Sequence, residues 1–242
     1  MQSWISDFKE NIYETFIYQD RWKYLTDGVS WTLRITFFAL IIGIVIGALI
    51  AIIRSTYDKQ YSEMRPGIGK VVTKILNIIA KIYLTVFRGT PVVVQIMIMY
   101  YIVFVWMDSD LLVASIAFGI NSGAYVAEIF RSGIMSIDDG QFEAGRSLGF
   151  NYVQTMIYVI IPQAFKNVLP TLANEFIVLL KETSVAGYVG IAELTKGGDI
   201  IRSATYKAFF PLLAVALIYL VMVMFFTWLV SLLERRLRND ER

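Results

Sequence analysis

The sequence predicts an all-α, polytopic helical membrane protein with five crossings and one short helix in a loop on its cytoplasmic side. Three observations carry that prediction. Hydrophobic residues make up 57% of the 242, above the roughly 45–50% apolar usage of a soluble domain. Several apolar runs approach the ~20 residues needed to cross the hydrocarbon core. Charged residues are gathered in short clusters between those runs, and the net charge of +2 gives no stripe suited to nucleic acid.

The first thirty residues interleave Asp7, Glu10, Glu14, Asp20 and Asp27 with Lys9, Arg21 and Lys23. This order lacks the basic-then-apolar sequence of a cleaved leader, so the first span is expected to be retained. Residues 1–28 are read as a polar, amphipathic segment at the outer surface, with Trp4, Ile5, Ile17 and Tyr18 as its apolar contribution.

Residues 33–53 form the first span, apolar apart from Arg34 and Thr36. The further runs are 71–86, 92–107, 111–134, 164–180 and 208–233. Arg54, Lys59, Arg65, Lys70 and Lys74 follow the first span, and Arg235, Arg236, Arg238 and Arg242 follow the last, so both regions are expected on the cytoplasmic side. An amino terminus outside and a carboxyl terminus inside require an odd number of crossings. Five result if 71–86 and 92–107 form one bent crossing, broken at Arg88-Gly89-Thr90-Pro91, where Pro91 would open a new helix behind a Thr90 cap. Residues 29–236 then form a single membrane domain, 136–163 its inner loop and 237–242 a cytoplasmic tail.

Cysteine and histidine are both absent, which removes disulfides, thiolate nucleophiles, Cys/His metal sites and the commonest general base. An enzyme is not expected, and no cofactor is assigned to the chain. No Gly-x-x-x-x-Gly-Lys-Ser/Thr phosphate loop occurs in it either.

The inner loop contains Asp139-Gly140-Gln141-Phe142-Glu143-Ala144-Gly145-Arg146-Ser147-Leu148-Gly149, followed by Val159-Ile160-Ile161-Pro162. A helix starting near Asp139 and stopping at Gly149 is too short and too polar to span. Ala144 and Gly145 would let another protein approach closely, while Glu143 and Arg146 supply charge, so the segment reads as a docking helix. An ordinary amphipathic loop helix is the plainer alternative.

This segment resembles the cytoplasmic loop of bacterial ABC-transporter permeases, whose pattern is Glu-Ala-Ala, three residues, Gly, nine residues, Ile, one residue, Leu-Pro. Gly145, Val159 and Ile161 depart from it while keeping small or branched apolar character. Phe87-Arg88-Gly89-Thr90-Pro91 with Gln95, the stretch from Gly123 to Ile134, and Lys181-Glu182-Thr183-Ser184 are similar to the polar amino-acid uptake branch, so the resemblance runs from about Thr32 to Arg236. It implies a permease subunit of an ATP-driven importer in the bacterial inner membrane. The implied partners are two cytoplasmic ATPase subunits that bind ATP and Mg, a second permease subunit, identical in a homodimer or distinct in a paired core, and an extracytoplasmic solute-binding protein delivering an amino acid. It also implies that Glu143, Ala144, Gly145, Arg146 and Gly149 sit in a cleft of the ATPase.

Polar residues within the spans suggest a substrate path. Asn121, Tyr125 and Glu128 share one helical face, and a carboxylate within a span is a functional candidate by default. The alternative for Glu128 is a structural pair with Arg131. Thr171, Glu175, Val178 and Glu182 form a second stripe with Asn174 beside it, and acids at that depth suit an ammonium group or a basic side chain. A helix restarting at Thr90 and Pro91 would turn backbone N–H groups toward a substrate carboxylate, unless the proline only kinks the bundle. Gly43 to Gly47 and Gly119 to Gly123 are small-x-x-x-small patterns, read as packing within the bundle in preference to a dimer seam.

Five spans make a thin bundle for a solute path, which independently favours a dimer in the bilayer. A gradient-driven secondary carrier is the competing class, although no inverted repeat is visible. A channel or a membrane anchor accounts less well for the mid-span acids.

Overall fold

The computed structural model describes residues 2–239, with side chains from 7 to 237. Of the tail at 237–242, positions 240–242, including Arg242, lie outside the described residues, as do the side chains of Trp4, Ile5 and Arg238. The described residues contain helices α1 (Gln2–Ile12), α2 (Trp22–Gln60), α3 (Ile68–Gly89), α4 (Val92–Ile98), α5 (Asp110–Met135), α6 (Gly140–Ser147), α7 (Tyr152–Thr155), α8 (Ile161–Glu182), α9 (Leu194–Thr205) and α10 (Phe209–Asn239).

Four helical stretches are long and apolar enough to cross a membrane, namely Trp22–Gln60, Asp110–Met135, Tyr152–Val189 and Phe209–Leu237. A fifth crossing comes from the pair Ile68–Gly89 and Val92–Val103, bent by 109° at its break. The packing of α2 on α5 makes this pair one net crossing. Gly119 of α5 faces Ala39 and Ile42, Gly43 faces Ser122 and Gly123, Gly47 faces Val126 and Ala127, and further along Asp58 pairs with Arg131. Numbering rises together on both helices, so they run parallel, and α3 with α4 must return the chain between them. The glycine patterns are therefore intramolecular packing, as expected. A Cβ on Gly47 would stand 2.6 Å from Val126 Cγ1, too close for any larger residue without moving a helix.

Helix α2 has 39 residues, about 58 Å at ~1.5 Å per residue, and so outreaches a hydrocarbon core of ~30 Å. Its far end carries Asp58 and Lys59 to the face that bears α6. On the opposite face the α1 segment packs on the turn before α10: Lys207 Nζ donates to Asn11 Oδ1 at 2.6 Å and to Glu14 Oε2 at 2.5 Å, and the Phe8 and Phe210 rings meet edge to face. The chain turns from this segment into α2 through Gln19 and Asp20, both at positive φ.

One local expectation is corrected, and two helical segments go beyond what the sequence pattern marks. Pro91 itself is the residue preceding α4, and no side chain caps that helix; Thr90 Oγ1 instead donates to Val86 O at 2.8 Å. Within the segment 136–163 read as the inner loop, Asn151 and Gln154 form a reciprocal capping box that starts helix at Tyr152 and leads through a π-type turn at Met156–Ile160 into α8. Helix α9 was not anticipated. Glu193, fully buried, starts it by accepting from Thr195 N and Lys196 N, each at 2.7 Å. Gly197 then lets it approach Tyr24 of α2, and Gly198 lets it approach Val215 of α10.

The main core gathers Ile35, Ala39, Ile96, Ala114, Phe118, Leu179 and Ile191, joining α2, α4, α5 and α8 around the break. Apolar side chains of α3 and α10 such as Ile82, Val221 and Met224 remain exposed, as suits helices solvated by lipid.

Candidate functional site

Helix α6 ends in the device its glycine predicted. Gly149 has φ +83, Gly149 N donates to Arg146 O at 2.9 Å, and Phe150 N donates to Gly145 O at 3.0 Å, the paired bonds of a Schellman cap. Phe142 stacks on Tyr152 with ring centres 6.1 Å apart, and Lys59 pairs with Asp139 while lying over the Phe142 ring. Arg146 reaches Glu63 at 3.4 Å. The helix is thus fastened to α7 on one side and to the end of α2 on the other.

The outward face of α6 comprises Glu143, Ala144, Arg146 and Ser147, with Leu148 75% exposed beyond it. Gly145 does not belong to that face, which corrects its expected part in letting a partner approach. It is buried, and a Cβ there would stand 2.6 Å from Thr155 Oγ1 and 2.7 Å from Thr155 Cγ2. The close approach it permits is to α7 of the same chain. A cleft of about 450 Å³ runs beside α6, lined by Lys59, Glu63, Phe142, Glu143, Arg146 and Tyr152.

The polar residues of the spans divide into two groups. Thr90, Gln95 and Asn121 come together at the break between α3 and α4. Gln95 Nε2 donates to Thr90 Oγ1 at 2.7 Å, and to Thr90 O and Phe87 O at 3.0 Å each; Asn121 Nδ2 donates to Gln95 Oε1 at 2.8 Å and to Phe87 O at 3.2 Å. A break in a crossing helix frees carbonyls that lipid cannot satisfy, and these amides satisfy them. Gln95 and Asn121 are both buried and turned toward the backbone.

Tyr125, Glu128 and Glu175 line a different space, a half-open cavity of about 480 Å³ shared with Arg88, Asn167 and Thr171. Glu175, buried, accepts from Ser122 Oγ at 2.8 Å. Glu128 forms the pair with Arg131 foreseen as its structural alternative, through Nη2 at 2.6 Å and Nε at 3.3 Å. Asn174 is brought to neither group: it is exposed on α8 and donates to Pro170 O at 3.3 Å. Arg88 is the cavity residue that sequence reasoning passed over, because it stood among turn residues; its position at a break inside a span was the available signal.

The profile of the family described as binding-protein-dependent transport system inner membrane component matches residues 68–239. The chain belongs to that family. Among similar permeases, the glutamine transport system permease protein GlnP of Escherichia coli strain K12 is 36% identical over 218 residues, covering 88% of this chain and 93% of its own. The arginine transport system permease protein ArtQ of Bacillus subtilis strain 168 is 34% identical over 221 residues, covering 90% and 94%. A crystal structure of an amino acid ABC transporter with histidines shares 41% identity at a TM-score of 0.77, covering 91% of this permease and 98% of its own chain. The inward-facing MetNI methionine ABC transporter, 21% identical at a TM-score of 0.72, shares the fold. As a family member with membrane-spanning helices throughout, the chain is a multi-pass inner membrane permease component.

Proposed function

We propose that this permease imports a polar amino acid at the expense of ATP hydrolysed by separate subunits, with α6 as the element the ATPase grips. Two cytoplasmic ATPase subunits would bind ATP and Mg, a second and identical permease would complete the path, and a solute-binding protein would dock on the face carrying α1 and α9. The basic residues after α2 and at the end of α10 favour the α6 face as cytoplasmic, which puts the amino terminus outside and the carboxyl terminus inside. Relatives named for glutamine and for arginine support an amino acid as cargo, and the acids Glu128 and Glu175 suit its ammonium group or a basic side chain.

The observation that carries the reading is α6 itself: a capped helix pinned to the end of α2 and to α7 while Glu143, Ala144, Arg146 and Leu148 face outward without burial. A force applied there reaches α2 directly through Lys59. Co-purification with an ATPase and reconstitution in liposomes test it. Uptake that requires ATP and the co-purified subunit is expected, and gradient-driven uptake by the chain alone would establish a secondary carrier instead. Glu143→Ala is expected to release the ATPase or uncouple its hydrolysis from transport while the folded yield stays unchanged; full ATPase stimulation in that variant would remove α6 from the mechanism.

A further inference from the structure

A chain of charged contacts leads from the cavity to the base of α6. Arg88 Nη1 stands 3.9 Å from Glu128 Oε2, and its Cζ lies 5.6 Å from the Tyr125 ring centre; among the described residues it has no further partner. Its side chain is 43% exposed at the break within the bent crossing, where a guanidinium facing lipid is strongly disfavoured and a wet cavity is its ordinary setting. Glu128 is held from the other side by Arg131, whose Nη1 also donates to Asp58 Oδ2 at 3.3 Å. The neighbour of Asp58 is Lys59, which pairs with Asp139 at the start of α6.

Arg131 is therefore one cation shared between two carboxylates on different helices. Whatever draws Glu128 away strengthens its hold on Asp58, since the guanidinium is charged at every accessible pH and its donors seek the remaining acceptor. At the cavity end, Arg88 and Glu128 stand side by side with opposite charge. The carboxylate and ammonium of an α-amino acid, separated by a single carbon, present the complementary pair.

We propose that Arg88 and Glu128 form a clamp for the zwitterion of an α-amino acid, and that Arg131 relays its occupancy to Asp58 and so to the end of α2 that holds α6. Arg88 takes the carboxylate and Glu128 the ammonium; Arg131 and Asp58 are positioning residues that touch no substrate. This rests on the amino-acid importer reading and adds to it the recognised group, the backbone end common to all α-amino acids. Side-chain selection then falls to other groups, Glu175 among them.

The test uses the permease and its ATPase together in nanodiscs, with L-arginine, L-glutamine and their α-carboxamides as probes. Wild-type complex is expected to bind both amino acids and to bind the carboxamides at least about tenfold more weakly, the worth of a charge-assisted hydrogen bond. R88Q is expected to lose at least about tenfold in affinity for both amino acids and R88K less; the second variant guards against a fold defect in the first. D58N is expected to bind within about threefold of wild type yet lose substrate stimulation of ATP hydrolysis. R88Q and R88K both binding as wild type, or D58N retaining full stimulation, would overturn the clamp and relay while leaving the importer intact. A wild-type complex that neither binds nor transports any amino acid would overturn the importer reading and the clamp together.

Discussion

The break at Phe87–Pro91 and the cavity at Arg88 are neighbours on the chain, yet their polar groups are deployed oppositely. At the break, Gln95 spends its amide hydrogens on Thr90 and the Phe87 carbonyl, and Asn121 spends its own on that carbonyl and on Gln95 Oε1. In the cavity, Arg88 has only a distant carboxylate and a ring, while Glu128 and Glu175 line open space. Both look alike as intramembrane polarity. The difference is whether a donor meets an orphaned backbone carbonyl or a space large enough for a guest, and only the second arrangement is suited to recognition.

Substitutions in the two regions are expected to give opposite phenotypes. Gln95→Leu takes the donor from Thr90 O and Thr90 Oγ1 and the Oε1 acceptor from Asn121, leaving Asn121 only its bond to Phe87 O, at about 1–3 kcal/mol for each buried group left unpaired. Thermal unfolding in detergent is expected to show a large loss of stability, with transport falling only in proportion to folded protein. Glu128→Gln and Glu175→Gln are expected to do the reverse, leaving thermal stability within about 1 kcal/mol, since a glutamine oxygen still accepts from Arg131 or from Ser122, while altering which amino acids are bound. Unchanged substrate dependence in both would remove the acidic-cavity reading.

Gly149→Ala comes next, because an alanine at φ +83 costs roughly 1 kcal/mol or more. The expected result is a frayed α6, seen as faster amide exchange over residues 144–150 and weaker ATPase association, with the cavity unaffected. Arg146→Ala ranks below it: the pair with Glu63 is exposed, and such pairs contribute ~0.2–1 kcal/mol, so any loss of coupling beyond that reflects the docked ATPase rather than the fold.

The smallest effect is on pH dependence, at Glu193, which lies between the last two spans. Burial pushes its carboxyl above the usual range, against the opposing pull of the Thr195 and Lys196 amides and the Tyr219 hydroxyl. A raised carboxyl favours the neutral form in the folded state, so its contribution to stability is complete at low pH and declines as pH rises through the folded value. The melting temperature is therefore expected to fall as pH rises past the ordinary carboxylate range. Glu193→Gln, which cannot ionise, is expected to flatten that slope.

Hydropathy made the five crossings legible, since lipid demands long apolar segments and clusters charge at their ends. The bent pair was visible because Pro91 cannot donate to a helix. Helix α9 was hidden, because Gly197-Gly198 reads as a breaker, whereas here those glycines allow contact with α2 and α10. The start of helix at Tyr152 is hidden for the opposite reason: Val159 to Pro162 matches the tail of a loop motif, which masks the helix running through it. At the cavity, spacing placed Asn121, Tyr125 and Glu128 on one face, but which of them meets backbone and which meets space depends on the angle at which α3 crosses α5, and no local pattern encodes that angle.

Gly145 carries a consequence for how this loop varies among related chains. Its hydrogen occupies the space that a methyl would need beside Thr155, so the two positions share one fixed volume. A chain with alanine at 145 must carry a smaller residue at 155 or shift α7 outward, and the two positions should covary although ten residues apart. Gly145→Ala alone is then expected to displace α6 from α7, and pairing it with Thr155→Ala to seat it again, a compensation that a search through paired libraries would recover as linked survivors.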